Sequence, residues 1–191
     1  MTHQVQSRLF GRNVEFDFSG PWGAYWIVMS RLVLGVWMLH GGLEKYTWAL
    51  ASEPFSSQGW LAGQFPAGAD GTLLAQLRPD WLQAFFDFTV NTPWMLAFTD
   101  FMIPLGELLI GLGLLLGVAT RLSAFFGGAL LAFFYFGNAD WAHGIANAEL
   151  AGIMLFAGLV VFSAGRVLGL DPLLERTAFV ENHPRLRYLL G

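Results

Sequence analysis

Four ionisable side chains stand within otherwise apolar stretches: Arg31, Asp100, Glu107 and Glu149. A charge at the centre of a bilayer costs about 2.5–3.5 kcal/mol on insertion scales, so such groups normally face partners. Depth arithmetic suggests one pair. Arg31 follows Trp22 by nine residues, and Glu107 precedes Val118 by eleven. On helices running in opposite directions, that sets them about 13 and 16 Å from the same boundary. An Arg31–Glu107 salt bridge is therefore expected, either to fix helix register or to serve chemistry.

A second polar group gathers toward the other boundary. His40, Glu44 and Lys45 close the first apolar stretch, and Asp100 lies one to two turns into the second. Tyr135, Asn138 and Asp140 close the third, while Trp141, His143, Asn147 and Glu149 open the fourth. A polar pocket beneath aromatic side chains suits a quinone headgroup, with a histidine or carboxylate as proton partner. Helix ends that meet water are polar in any case, which accounts for Glu44, Lys45 and Asp140. His40, Asp100 and Glu149 lie deeper and are the candidate catalytic groups. Candidate cofactor contacts are Arg31, His40, Lys45, Glu107, Tyr135 and His143. Two imidazoles, His40 and His143, could ligate a b-type haem, although an ordinary hydrogen-bonded histidine is the commoner case. His40, Asp100, His143 and Glu149 are metal-ligand types, but no spacing motif joins them, so no metal site is expected.

The composition says what must position these groups. Of 191 residues, 55% are hydrophobic and only 13% charged, against about 25% charged in ordinary soluble domains. With a mean hydropathy of +0.52, this points to a membrane protein and away from a disordered chain. Aromatic residues at 16% suit anchoring at two water–lipid interfaces. The chain has no cysteine, which removes iron–sulfur clusters, thiolate zinc and dithiol chemistry from this chain alone. A net charge of −4 argues against nucleic-acid binding.

A membrane helix needs about 20 mainly apolar residues. Four stretches qualify, at about 22–43, 94–118, 122–139 and 145–168. The expected fold is all-α: one domain over 1–191, an integral-membrane four-helix bundle with a long external loop carrying interfacial helices. Arg8, Arg12, Arg121, Arg166, Arg176, Arg185 and Arg187, seven of the ten basic residues, fall on one side. By the positive-inside rule both tails, 1–21 and 169–191, are cytoplasmic. The 44–93 connection is then external and acidic by three charges. Within it, Asp80–Thr92 reads as an amphipathic helix, with Trp81, Leu82, Phe85, Phe86 and Thr89 at helical spacing and Asp80 as its cap. The loop is expected to lie over the bundle as a lid. The tail after residue 169 reads as a short helix or ordered segment near lipid headgroups. Gly106, Gly111, Gly113, Gly117, Gly127, Gly128, Gly152 and Gly158 read as packing devices.

Two stretches carry a resemblance. The first runs from Arg31 through Gly35, His40, Gly41 and Gly42 to Lys45. The second runs from Gly106-Glu107 through Gly111, Gly113 and Gly117 to Thr120-Arg121. Together they resemble the DoxX family of membrane proteins, and the long external connection looks like its DoxD-type branch. The run Phe134-Tyr135-Phe136-Gly137-Asn138 with Trp141-Ala142-His143-Gly144 resembles a subgroup of that family. The resemblance spans about residues 22–170, and Arg31, Lys45 and Glu107 mark its pattern. It implies a prokaryotic cytoplasmic-membrane protein. It also implies the membrane subunit of a thiosulfate:quinone oxidoreductase, oxidising thiosulfate or another small sulfur compound. A non-catalytic scaffold or accessory subunit of a redox complex is the alternative. The expected partners are the lipid bilayer, a second redox subunit and, as an open alternative, further copies of the chain in a homo-oligomer.

Overall fold

The computed structural model describes residues 2–9, 12–19, 21–50, 54–63, 80–138 and 145–191. An antiparallel hairpin, β1 (Thr2–Leu9) and β2 (Arg12–Ser19), precedes helix α1 (Trp22–Leu50). Two short helices follow, α2 (Gln58–Gly63) and α3 (Asp80–Asn91), and then α4 (Pro93–Leu116), α5 (Thr120–Asn138) and α6 (Ala148–Val161). A 3-10 turn at Ala164–Arg166 leads to α7 (Asp171–Glu175), α8 (Ala178–Asn182) and a last 3-10 turn at Pro184–Tyr188.

Among the described residues, three helices are long and apolar enough to cross a membrane: α1 over Trp22–Tyr46, α4 and α5. Phe98, Phe101, Leu109, Phe125 and Phe126 stand exposed on them, an apolar surface of the kind that meets lipid. The fourth apolar helix, α6, differs from the expected 145–168 span. It has 14 residues and reaches about 21 Å, short of the ~30 Å hydrocarbon core. Its limits have local causes. The Asn147 side chain accepts from Leu150 N–H at 3.0 Å and starts the helix. At the other end Ser163 takes a left-handed conformation, φ 50°, and the chain turns away.

The helices pack antiparallel in sequence order. Glycine lets α1 and α4 approach closely. A β-carbon at Gly111 would come within 2.8 Å of the Leu39 backbone, and one at Gly42 within 2.9 Å of the Pro104 carbonyl oxygen. Leu34, Met38, Ile110, Leu114, Ala124, Leu131, Phe156 and Leu159 fill the core between α1, α4, α5 and α6. Gly117 ends α4 in the left-handed region (φ 66°), and Val118 N–H returns to the Gly113 carbonyl at 2.8 Å.

One end of the molecule, here the near end, gathers the hairpin, the α4–α5 turn and the tail. The opposite, far end carries α2 and α3. The expected amphipathic helix is present as α3, which buries Leu82, Phe86 and Thr89. With Leu61 and the flanking Trp60 and Phe85, these rings make a small separate core. The hairpin departs from the all-α expectation and from a plain tail at 1–21. Its sequence alternates Val14, Phe16 and Phe18 with Glu15 and Asp17, the period of a strand with one apolar face. Phe16 meets Phe162 edge to face with centroids 5.0 Å apart, which seats the hairpin at the end of α6.

Candidate functional site

The ion pair that forms is Lys45–Glu107. Lys45 Nζ lies 2.7 Å from Glu107 Oε2 and 2.9 Å from Oε1, so the ammonium bonds both carboxylate oxygens. A longer contact of 3.3 Å reaches the Gly41 carbonyl one turn back on α1. The Lys45 and Glu107 side chains are 21% and 5% exposed. The pair therefore sits in the α1–α4 seam, with its lysine end opening outward. Gly41 makes room for it: a β-carbon there would stand 3.3 Å from Glu107 Oε2. The Phe55 ring centroid is 5.9 Å from the ammonium, within cation–π range.

The segment carrying Phe55 is latched beside the pair. Asp100 Oδ1 on α4 accepts from both the Ser57 backbone N–H and its hydroxyl, each at 2.6 Å. Trp60 Nε1 donates to Asn138 Oδ1 at 2.9 Å, and Asn138 Nδ2 donates to Glu149 Oε1 at 3.4 Å. Asp100, Asn138 and Glu149 thus share the far end, and α2 ties them to the lid. Tyr135 is buried and donates to the Ile145 carbonyl at 3.0 Å. Trp60 packs against Phe86 and Phe134, closing over Gly137.

Arg31 is elsewhere. It is buried at the near end, where Nη1 donates to the carbonyls of Ala164 (2.9 Å) and Val167 (3.0 Å) and Nη2 to that of Leu168 (2.9 Å). The expected Arg31–Glu107 bridge does not form among the described residues. Lys45 lies 14 residues along α1 from Arg31, a separation of about 21 Å. The depth arithmetic failed because Trp22 does not mark the level at which α4 ends. Arg31 stands level with Gly117, whose added β-carbon would lie 2.9 Å from Arg31 Nη1.

Arg31 belongs to a clasp that sequence reasoning missed. Arg121, which the sequence offers only as one of the basic residues on the cytoplasmic side, is buried at the start of α5 and donates to the hydroxyls of Ser7 (2.6 Å) and Ser163 (2.7 Å). Asp171 is fully buried and accepts from the N–H groups of Ala119 (2.7 Å), Thr120 (3.1 Å) and Gly191 (2.7 Å). The Asp171-Pro172 pair, an acid ahead of a proline in a helix's first turn, was its one visible sign.

His40 occupies an exposed position on α1. Asp140, Trp141 and His143 lie outside the described residues. Of the two histidines considered as haem ligands, His40 is among the described residues and His143 is not. Among the described residues, no three His, Asp or Glu side chains are placed to hold a metal ion.

Three membrane-length apolar helices, with an ion pair buried in the seam of two of them, define an α-helical membrane protein with a charged group held below its surface. The family model described as TQO small subunit DoxD matches residues 26–189, and the chain belongs to the DoxD family. No curated protein sequence and no solved structure gives a significant match.

Proposed function

We propose that the chain is the integral-membrane subunit of a thiosulfate:quinone oxidoreductase in a prokaryotic cytoplasmic membrane, with both termini cytoplasmic and α6 completing a four-helix bundle. The observation that carries this reading is the Lys45–Glu107 pair, taken with DoxD membership. A quinone, when bound, supplies an acceptor for two electrons and two protons. The donor set suits its headgroup. Lys45 offers an ammonium to a carbonyl oxygen at the outward end of the seam, and Glu107 holds that ammonium in place and can carry a proton behind it. The exposed aromatic side chains Trp94, Phe98 and Phe101 on α4 suit entry from lipid.

The balance of the reaction is simple. Two thiosulfates lose two electrons and join through one new S–S bond as tetrathionate. One quinone takes up those electrons and two protons. With no cysteine in the chain, a protein thiol of this subunit cannot hold the sulfur. The two thiosulfates then join directly, without a thiol-bound intermediate on this chain, and we assign the complete reaction to a complex of this chain with a second subunit.

The test is purification of the complete complex in mild detergent, with mass spectrometry for bound quinone and an assay of thiosulfate-dependent quinone reduction. Quinone in the preparation, and turnover that falls at least tenfold in Glu107→Gln, support the reading. A complete complex with neither quinone nor turnover would instead make the chain a scaffold that anchors its partners.

A further inference from the structure

We propose that residues 168–189 form a docking surface for a membrane leaflet rich in anionic lipid headgroups, a role independent of the redox reading. The segment is tied firmly to the near end. Leu170 N–H bonds the carbonyls of Leu116 (3.3 Å) and Gly117 (3.0 Å), and Leu122 N–H bonds the Leu189 carbonyl (3.2 Å). Asp171, Val180 and Leu190 point inward and are buried. The exposed side chains include large apolar ones, Leu168 at 78% exposure, Leu173 at 60% and Phe179 at 66%, and three basic ones, Arg176, Arg185 and Arg187, beside the polar Thr177, Glu181, Asn182 and His183.

Two observations favour lipid as the occupant. Leu168 has φ 51°, a conformation that glycine or asparagine takes far more cheaply than leucine. The conformation turns its carbonyl to Arg31 and its side chain outward. The side chain so presented is 78% exposed, and apolar area of that kind is stabilised when it leaves water for an apolar phase. Charge supplies the second observation. Of the segment's acids, Asp171 is consumed by three N–H groups and Glu175 pairs with Arg166 at 2.6 Å. Glu181 alone then faces three exposed arginines, so the outward charge is positive and complements anionic headgroups. Trp22 and Trp26 are also exposed, at the start of α1, and tryptophan is a common side chain at the headgroup level.

The chain's lack of cysteine allows a background-free test. Single cysteines at Leu168, Leu173, Phe179 and, as control, Glu181 are labelled with a nitroxide in the full protein. The protein is reconstituted in equimolar phosphatidylcholine and phosphatidylglycerol. Collision with oxygen reports lipid, and collision with a water-soluble nickel chelate reports solvent. Labels at 168, 173 and 179 should favour oxygen and the label at 181 nickel. In R176Q/R185Q/R187Q, or in phosphatidylcholine alone, the first three should shift toward nickel. Nickel access at all four positions in the anionic membrane overturns the proposal. So does indifference to the triple substitution, and so does protection that appears only when a soluble subunit is added, which would make the surface a protein dock.

Discussion

Replacing Lys45 by methionine leaves the Glu107 carboxylate buried in the α1–α4 seam with its ammonium gone, since both of its oxygens bond Lys45. Breaking a fully buried ion pair from one side costs roughly 3–5 kcal/mol. Lys45 keeps 21% of its side chain exposed and Glu107 only 5%, so the two partners are not equivalent. Lys45→Met, which strands the deeper group, should cost about 3 kcal/mol, and Glu107→Met, which strands the group able to reach solvent, about 2 kcal/mol. The double variant puts two apolar side chains of similar reach in the seam and should cost no more than about 2 kcal/mol, because apolar replacement of a buried pair is often close to neutral. The coupling is then at least about 3 kcal/mol, at the upper end of what contacting residues show. Equilibrium unfolding in mixed micelles, followed by the fluorescence of the eight tryptophans, measures all four corners of the cycle. Additivity within about 0.5 kcal/mol would refute the pairing and, with it, the site built on it.

Other expectations follow from the same geometry. Arg31→Met and Glu107→Gln should be additive within about 0.5 kcal/mol in the same unfolding assay, because they lie at opposite ends of the helices. Asp171→Ala strips three backbone N–H groups of their acceptor and should lower stability by about 3 kcal/mol or more. It should also open the near end to protease, visible as new cleavage after residue 163. Gly111→Ala sets a β-carbon against the Leu39 backbone and should separate α1 from α4, lowering the melting temperature. Gly106→Ala, with nothing within 4 Å, should be neutral or stabilising by up to about 1 kcal/mol. Trp60→Phe keeps the ring among Phe86 and Phe134 but removes the bond to Asn138, a loss of about 1 kcal/mol.

Much of the fold was legible because lipid imposes a simple rule on composition. The apolar runs located α1, α4 and α5 to within a few residues, apart from the C-terminal extension of α1 to Leu50, and helical spacing located α3. Glycine packing was legible in kind, but the sequence could not say that Gly111 would meet Leu39 while Gly106 meets nothing. The hairpin was overlooked because windows built for 20-residue helices pass over an eight-residue alternation such as Val14-Glu15-Phe16-Asp17. α6 was drawn too long because hydropathy persists past Val161, whereas the carbonyls of Ala164, Val167 and Leu168 turn inward to Arg31.

The candidate site was legible in its residues and not in its pairing. Glu107 and Lys45 were both marked, yet depth arithmetic matched Glu107 with Arg31. Setting the start of α1 level with the end of α4 put Arg31 in the place of Lys45, four turns further along the helix. Trp60 reads from the sequence as an aromatic residue of the loop over the bundle, but its bond to Asn138 and that of Ser57 to Asp100 carry no sequence signal, because the partners are 78 and 43 residues away.

The proposed role of the Lys45–Glu107 pair in quinone reduction is tested most directly by turnover. Thiosulfate-dependent quinone reduction by the complete complex should fall at least tenfold in Glu107→Gln and Lys45→Met, while co-purification of the partner subunit is unchanged. Full turnover in both variants, with the complex intact, would contradict it.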